Sequence, residues 1–320
     1  MAKKTKTIEV VPYDSNWPKQ FEVQANALKD GLGKNLMAIH HVGSTAVPGL
    51  VAKPKIDIIA VVSDPEASIE QLKAIGYNYR GEYNIPMHYG FTKRGDVEVN
   101  LHVYEIDNPE IELNLSFRNY LRAHPDALND YAKLKLGLLE KQESFEKNNS
   151  MFTGYNLGKN HFIQKLLQKA GFNRLRFVIC THFDEWVAAK HFRQKYFFDK
   201  VPVKDPYEWT FDHNDHKHFI LYKGVSIIGY AHIQLWPKSR AAIRIIVIDE
   251  DYRGKGYGGQ FLSWMEEWLK RKGYKSVHTE SSPEAVPFYK AQDYREMPFN
   301  DPDGYESDER DTPMGKVIQA

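Results

Sequence analysis

The stretch Arg253-Gly254-Lys255-Gly256-Tyr257-Gly258-Gly259 constrains this chain more than any other. An apolar run, Ala242 to Ile248, precedes it, and an amphipathic segment, Phe261 to Lys270, follows. The order reads as strand, glycine-rich loop, helix. Glycines this dense let main-chain N–H groups converge with no Cβ in the way. Those groups lie at a helix N-terminus, where the peptide dipoles favour an anion, and Arg253 and Lys255 add positive charge. The loop is read as a pyrophosphate cradle. A Walker loop would close on Gly-Lys-Ser or Gly-Lys-Thr, which is absent. Gly254-x-Gly256-x-x-Gly259 has the spacing of a dinucleotide fingerprint, a pattern of low specificity when it stands alone.

The arginine-led spacing Arg253-x-x-Gly256-x-Gly258 resembles the coenzyme A loop of the GNAT acetyltransferase family. Downstream, Tyr274 to Glu280 reads as a strand. Pro287 to Tyr294 looks like that family's helix ending after Phe-Tyr, with Asp293 where glycine is usual. Asp accepts left-handed backbone more readily than most residues. Upstream, Leu175 to Cys180 reads as a strand and Phe183 to Phe198 as an aromatic-rich helix. His218–Tyr222 and Ser226–Gln234 read as a hairpin turning at Lys223-Gly224, and Met314 to Ile318 as the last strand. The resemblance implies a GNAT domain with a mixed, mostly antiparallel sheet. Its implied cofactor is acetyl-CoA, held by Ile246, Val247 and Ile248 of the strand and by Arg253, Gly254, Lys255, Gly256, Tyr257, Gly258 and Gly259 of the loop. It also implies a main-chain N–H from residues 246–248 at the thioester carbonyl. Tyr289 is the implied acid for the leaving sulfur, a phenol with an ordinary pKa of about 10. For the general base Glu280 ranks first and His232 second, with His278 on the face of Glu280 and a chain of waters as the alternative.

A length of 320 residues makes two domains the default. The break at Gly171-Phe172-Asn173 divides residues 1–172 from 173–320. In the first half, Ile8 to Val11 is β-like. A helix opens at Asp14-Ser15-Asn16-Trp17-Pro18, keeps Phe21, Ala25, Leu28 and Leu32 in register, and stops at Gly33. Lys53 to Val62 reads as a buried strand carrying Asp57, a carboxylate that is costly there unless paired or metal-bound. The runs His41-Val42-Gly43-Ser44-Thr45-Ala46-Val47-Pro48-Gly49-Leu50, Ile56-Asp57-Ile58, Leu101-His102-Val103, Phe117 to Arg122 and His124-Pro125 resemble the GrpB family over nearly all of residues 8–172. That resemblance implies a nucleotidyltransferase-like α/β fold. It also implies a nucleotide or phosphate site at Gly43, Ser44, Asp57, Glu98, His102, Arg118 and Arg122, with Asp57 and Glu98 as magnesium ligands. Alternation places Glu98, Asn100 and His102 on one strand face. Ile59 occupies the second carboxylate position and Asn100 stands where the family more often has His, so a two-metal site is incomplete. Lys133 and Lys135 read as a solvated face.

Net charge is +1, which points to no nucleic-acid partner. The single cysteine, Cys180, excludes an internal disulfide and reads as a buried thiol. His213, His216 and His218 fit no standard metal spacing and read as a solvated loop. The N-terminus carries no signal-peptide pattern and no run approaches the ~18 apolar residues of a span; a cytoplasmic protein with no membrane partner is expected. Asn300 to Asp311 holds six carboxylates and one arginine, suiting a small cationic amine, with His232, Trp209 and Trp236 lining its cleft. The leading function is N-acetyl transfer from acetyl-CoA to such an amine. The alternatives are nucleotidyl transfer or nucleotide binding by the first domain, and a non-catalytic sensing protein.

Overall fold

The computed structural model describes residues 8–147, 152–199, 204–304 and 308–318. The chain divides into two compact units, Met1–Arg176 and Phe177–Ala320. A five-stranded and a seven-stranded mixed sheet form their centres, the two-sheet α/β architecture expected.

In the first unit, α1 (Trp17–Leu32) buries Trp17, Ala25, Leu28 and Leu32 along one face and ends at Gly33, whose φ is +52°. β1 (Leu36–Val42) runs antiparallel to β2 (Lys55–Val62). After α2 (Ala67–Ala74) come β3 (Asn78–Gly81), β4 (Tyr89–Lys93) and β5 (Glu98–Glu105). The spatial order is β1-β2-β5-β4-β3, and β2 lies parallel to β5. A central position explains why β2 is an unbroken apolar run apart from its two charges, Lys55 and Asp57. α3 (Pro109–Ala123), α4 (Pro125–Leu139), α5 (Gly154–Leu157) and α6 (Asn160–Lys169) complete the unit. Leu121, Tyr131 and Leu166 of these helices pack on Val47 and Leu50. The strand expected at Ile8–Val11 is a single bridge: Val11 N–H and carbonyl both bond Ala52, and the pairing goes no further.

In the second unit, β6 (Leu175–Ile179) leads into α7 (Phe183–Arg193), which continues as a π-helical turn over Gln194–Phe198. β7 (His216–Lys223), β8 (Ser226–Trp236) and β9 (Arg240–Ile248) form an antiparallel meander. Then follow α8 (Tyr257–Arg271), β10 (Ser276–Ser281), α9 (Val286–Lys290), β11 (Arg295–Glu296) and β12 (Thr312–Val317). The order is β11-β12-β10-β9-β8-β7-β6, in which β9/β10 is the parallel pair. That pair matches only Arg240–Ala242 with Ser276–His278, so the two strands part beyond Ala242. A register shift opposite His232/Ile233 makes Arg244 the extra residue of a bulge on β9. The bulge lies two residues before the expected Ile246–Ile248. α8 begins four residues earlier than its apolar period suggested, because Gly256, at φ +79°, turns the chain directly into the helix.

Gly43 closes β1 at φ +70°, and a Cβ there would run into the Asp57 carboxylate. Gly43→Ala should therefore lower stability by at least about 1 kcal/mol in urea denaturation. An unchanged midpoint would show that the loop is not held against β2.

Candidate functional site

The glycine loop edges a cavity of about 590 Å³. Ile246, Val247, Ile248, Arg253, Gly254, Gly256, Tyr257, Gly258, Gly259 and Tyr289 line it, so ten of the residues expected from sequence fall on one wall. Gln260 makes the first N–H bond of α8, to the Gly256 carbonyl (3.1 Å). By helix geometry the N–H groups of Tyr257, Gly258 and Gly259 have no acceptor within the helix and are available to an anion. A Cβ on Gly258 would meet the Phe288 ring at 3.3 Å, and one on Gly259 would meet Gln292 at 3.2 Å, so the two glycines let α9 and the turn after it approach closely. Arg253 donates to the Ile248 carbonyl (2.9 Å) and lies over the Tyr196 ring, whose hydroxyl bonds Asp249 (3.1 Å). The π-helical turn thus braces the loop from behind. Lys255 is turned away, its ammonium on the Asp251 carbonyl (3.0 Å), and does not line the cavity. Tyr252, Glu284, Ala285, Phe288 and Gln292, which the sequence did not single out for this site, complete the lining.

Tyr289 is buried and its hydroxyl bonds Thr279, which in turn donates to the Ile243 carbonyl (3.0 Å). Burial pushes the phenol up to about 12, so it keeps its proton at neutral pH.

A second cavity, of about 490 Å³, shares β9 as a wall. Glu280 and His232, the two candidate bases, both line it, as do Trp209, Asp308 and Asp311. Phe197 and Phe198 of the π-helical turn add an aromatic side. Trp236 does not line it as expected; it packs on Ala242 and Phe299 in a buried cluster. His278 is also outside this lining, with its ring 5.9 Å from Trp236. The acidic run is only partly free. Asp301 pairs with Arg244, and Asp303 accepts from Gln234 (2.5 Å), while Tyr305, Glu306 and Ser307 lie outside the described residues.

His232 cannot act as a free base. Arg193 Nη1 donates to its Nδ1 (3.2 Å), so its other nitrogen carries the proton and donates to His216 Nδ1 (2.7 Å). The guanidinium is held in place by a buried bidentate pair with Asp205 (2.5 and 2.9 Å). His218 stacks on His232 at 4.4 Å and bonds the Tyr230 hydroxyl (2.7 Å). The expected solvated histidine loop is therefore a loop only at His213. His216 and His218 alternate inward from β7 and are buried. Burial, with neighbouring cationic groups, holds His216 down at about 4, His218 at about 3 and His232 far below the usual imidazole range.

In the first unit, Asn100 lies opposite Asp57 on β5 and donates to its carboxylate (2.8 Å). Glu98 pairs instead with Lys55 (2.7 Å). Among the described residues no group of three or more His, Cys, Asp or Glu is disposed to hold a metal, so the expected magnesium ligands gain no support. His102 bonds His88 (3.0 Å) at the far end of the same strand face. Arg118 donates to the His41 carbonyl (2.7 Å) and Arg122 to the Ala46 carbonyl (2.9 and 2.5 Å). Both guanidinium groups thus clamp the chain around Gly43 and Ser44. The group that reaches Ser44 Oγ is Lys135 (2.9 Å), read from sequence as a solvated residue but buried in the fold.

The chain belongs to the GrpB protein family, whose model matches residues 7–169, and residues 183–294 match the acetyltransferase (GNAT) family. YqkA, a UPF0157 protein of Bacillus subtilis, is 42% identical over 132 residues, which are 40% of this chain and 38% of that protein. The glutamate-rich protein GrpB of Alkalihalophilus pseudofirmus is 30% identical over 169 residues, 50% of this chain and 94% of that one. A crystal structure of GrpB from Enterococcus faecalis aligns with 34% identity and a TM-score of 0.44 over 51% of this chain and 96% of that one. A GNAT-family acetyltransferase from Staphylococcus aureus aligns with 14% identity and a TM-score of 0.39 over 46% of this chain and 100% of that one. Among the described residues no helix is long and apolar enough to cross a membrane.

The buried histidines set an acid limit. Their folded pKa values lie below the ordinary imidazole value near 6.5, so the unfolded chain takes up protons first as pH falls. Their contribution is complete above about pH 6.5 and is lost towards pH 4. Urea midpoints should fall between pH 7 and pH 5 by the equivalent of at least about 2 kcal/mol. A constant midpoint would mean that the imidazoles accept protons without loss of the fold.

Proposed function

We propose that the GNAT domain moves an acetyl group from acetyl-CoA to the amine of a small cationic acceptor. The observation that carries this reading is the pair of cavities walled by β9, one edged by open helix N–H groups and the other lined by carboxylates and aromatic rings. The glycine loop suits a pyrophosphate, since a Cβ at Gly256 would point into open space. Acetyl-CoA would supply the activated acyl group as a thioester.

The chain's own groups divide the remaining work. Beyond Ala242 β9 has no β10 partner, which leaves its main chain available to a carbonyl oxygen. Glu280, on the wall of the second cavity, is placed to take the proton that an ammonium must lose before it can attack. Tyr289 holds a proton for the departing sulfur. Asp205 offsets Arg193, Asp301 offsets Arg244 and Arg310 offsets Asp308, so Glu280 and Asp311 leave the second cavity with an excess of negative charge. Phe197, Phe198, Tyr207 and Trp209 add faces on which a cation can rest.

Gly256→Asp is expected to weaken acetyl-CoA binding at least tenfold by isothermal titration. Asp tolerates the left-handed backbone, so the loss would come from its charge. Asp308→Asn with Asp311→Asn should raise the acceptor KM and flatten its salt dependence, leaving the acetyl-CoA KM unchanged. Glu280→Gln should lower kcat about 10²-fold or more. An acceptor screen that returns only neutral or anionic amines would overturn the choice of substrate class.

A further inference from the structure

The GrpB domain carries a charged site of the opposite sign. Lys53 precedes β2, Lys135 lies in α4, and Lys159 precedes α6. The ammonium groups of Lys53 and Lys159 lie 4.3 and 4.7 Å from the centroid of one ring, Tyr155. Lys135 donates to Ser44 Oγ (2.9 Å) and to the Val51 carbonyl. The three cations are close enough to repel one another, and Asp57 is the carboxylate that acts on all of them. Among the described residues none of the three is joined to a carboxylate by an ion pair. Asp57 itself is tied to Asn100.

Three ammonium groups against one carboxylate leave an excess of two positive charges. Collecting buried cations in this way is costly unless an anion offsets them. Lys53, Lys159, Ser44 and Asp57 are each only partly buried, so the group is open to solvent. A hydroxyl and three ammonium donors match the acceptor-only oxygens of a phosphoryl group.

We propose that Lys53, Lys135, Lys159 and Ser44 form a binding site for a phosphoryl dianion, the end of a phosphate monoester or polyphosphate, whose charge the lysines neutralise without a divalent metal. Lys135 and Lys159 stand where the two guanidinium groups of α3 were expected, and they leave those groups to hold the loop. Other groups facing the lysines are Lys55 and Asp57 of β2, Tyr131 of α4 and Tyr155 of α5, while His102 of β5 faces Asp57. Burial and the neighbouring ammonium groups push Lys135 down to about 7 and Lys159 to about 8, while Tyr155 rises to about 12 and stays neutral. A bound anion draws protons onto both lysines, so affinity should fall as pH rises from 7 to 9.

The test is isothermal titration of the full-length protein with pyrophosphate in EDTA. Saturable binding is expected, weakened at least tenfold in Lys53→Met and in Lys159→Met and largely restored in Lys159→Arg. Both lysines are partly exposed, and thermal melting of each variant checks that it folds. The site is overturned if pyrophosphate does not saturate at millimolar concentration, or if binding appears only with magnesium. Affinity unchanged from the wild type in both methionine variants also overturns it, since the anion would then sit elsewhere, for instance on the glycine loop of the other domain.

Discussion

The separation of β9 from β10 after Ala242 is the constraint on which the acetyltransferase domain depends. A parallel pair that continued would satisfy its own main chain and fill the space between the strands. Here the pairing stops after three residues, and other groups take over. Thr279 Oγ1 caps the Ile243 carbonyl, and Tyr289 is anchored to the same threonine. The bulge at Arg244 turns that side chain to Gln234 and Asp301. One side of the opened strand then walls the cavity edged by the glycine loop, and its neighbouring residues wall the cavity that holds Glu280.

Charge in each domain follows from which ions are already paired. In the acetyltransferase domain the arginines near the second cavity are matched to Asp205 and Asp301, and Arg310 to Asp308, so among the described residues the lining groups left without an ion pair are the carboxylates Glu280 and Asp311. In the GrpB domain Glu98 is matched to Lys55, and Asp57 alone faces Lys53, Lys135 and Lys159, so the excess is of ammonium ions. A net charge of +1 for the chain hides both excesses. Local sign, set by pairing at a few ångströms, decides what each cleft attracts.

The buried histidines show how a polar cluster can specify a site without doing its chemistry. Arg193 can only donate, and that single fact orders the protons along His232 and His216. These hydrogen bonds hold β7, β8 and the end of α7 together beneath the second cavity. Glu280, on another strand, is left as the candidate base.

Most of the organisation was legible in residue order. The two domains, the glycine loop and the helix after it, Tyr289, and the left-handed turn at Asp293 follow from local rules of φ, periodicity and N-terminal charge. The start of helix α4 is legible because Pro125 suits a first helical turn and the apolar spacing after it marks the buried face. The partners of charged and polar side chains were not legible. Lys135 and Lys133 look alike in sequence, yet helix rotation buries the first against Ser44. Arg118 and Arg122 lie one turn apart and suit an anion, but the Gly43–Ala46 loop offers them carbonyls. His216 and His218 sit in a polar segment whose inward face only the pairing of β7 with β8 defines. By itself the sequence determined the local conformations, because each depends on a few neighbouring residues. Tertiary structure alone decided the charge of each cleft and the roles of its polar groups, because these depend on partners tens of residues away in the chain.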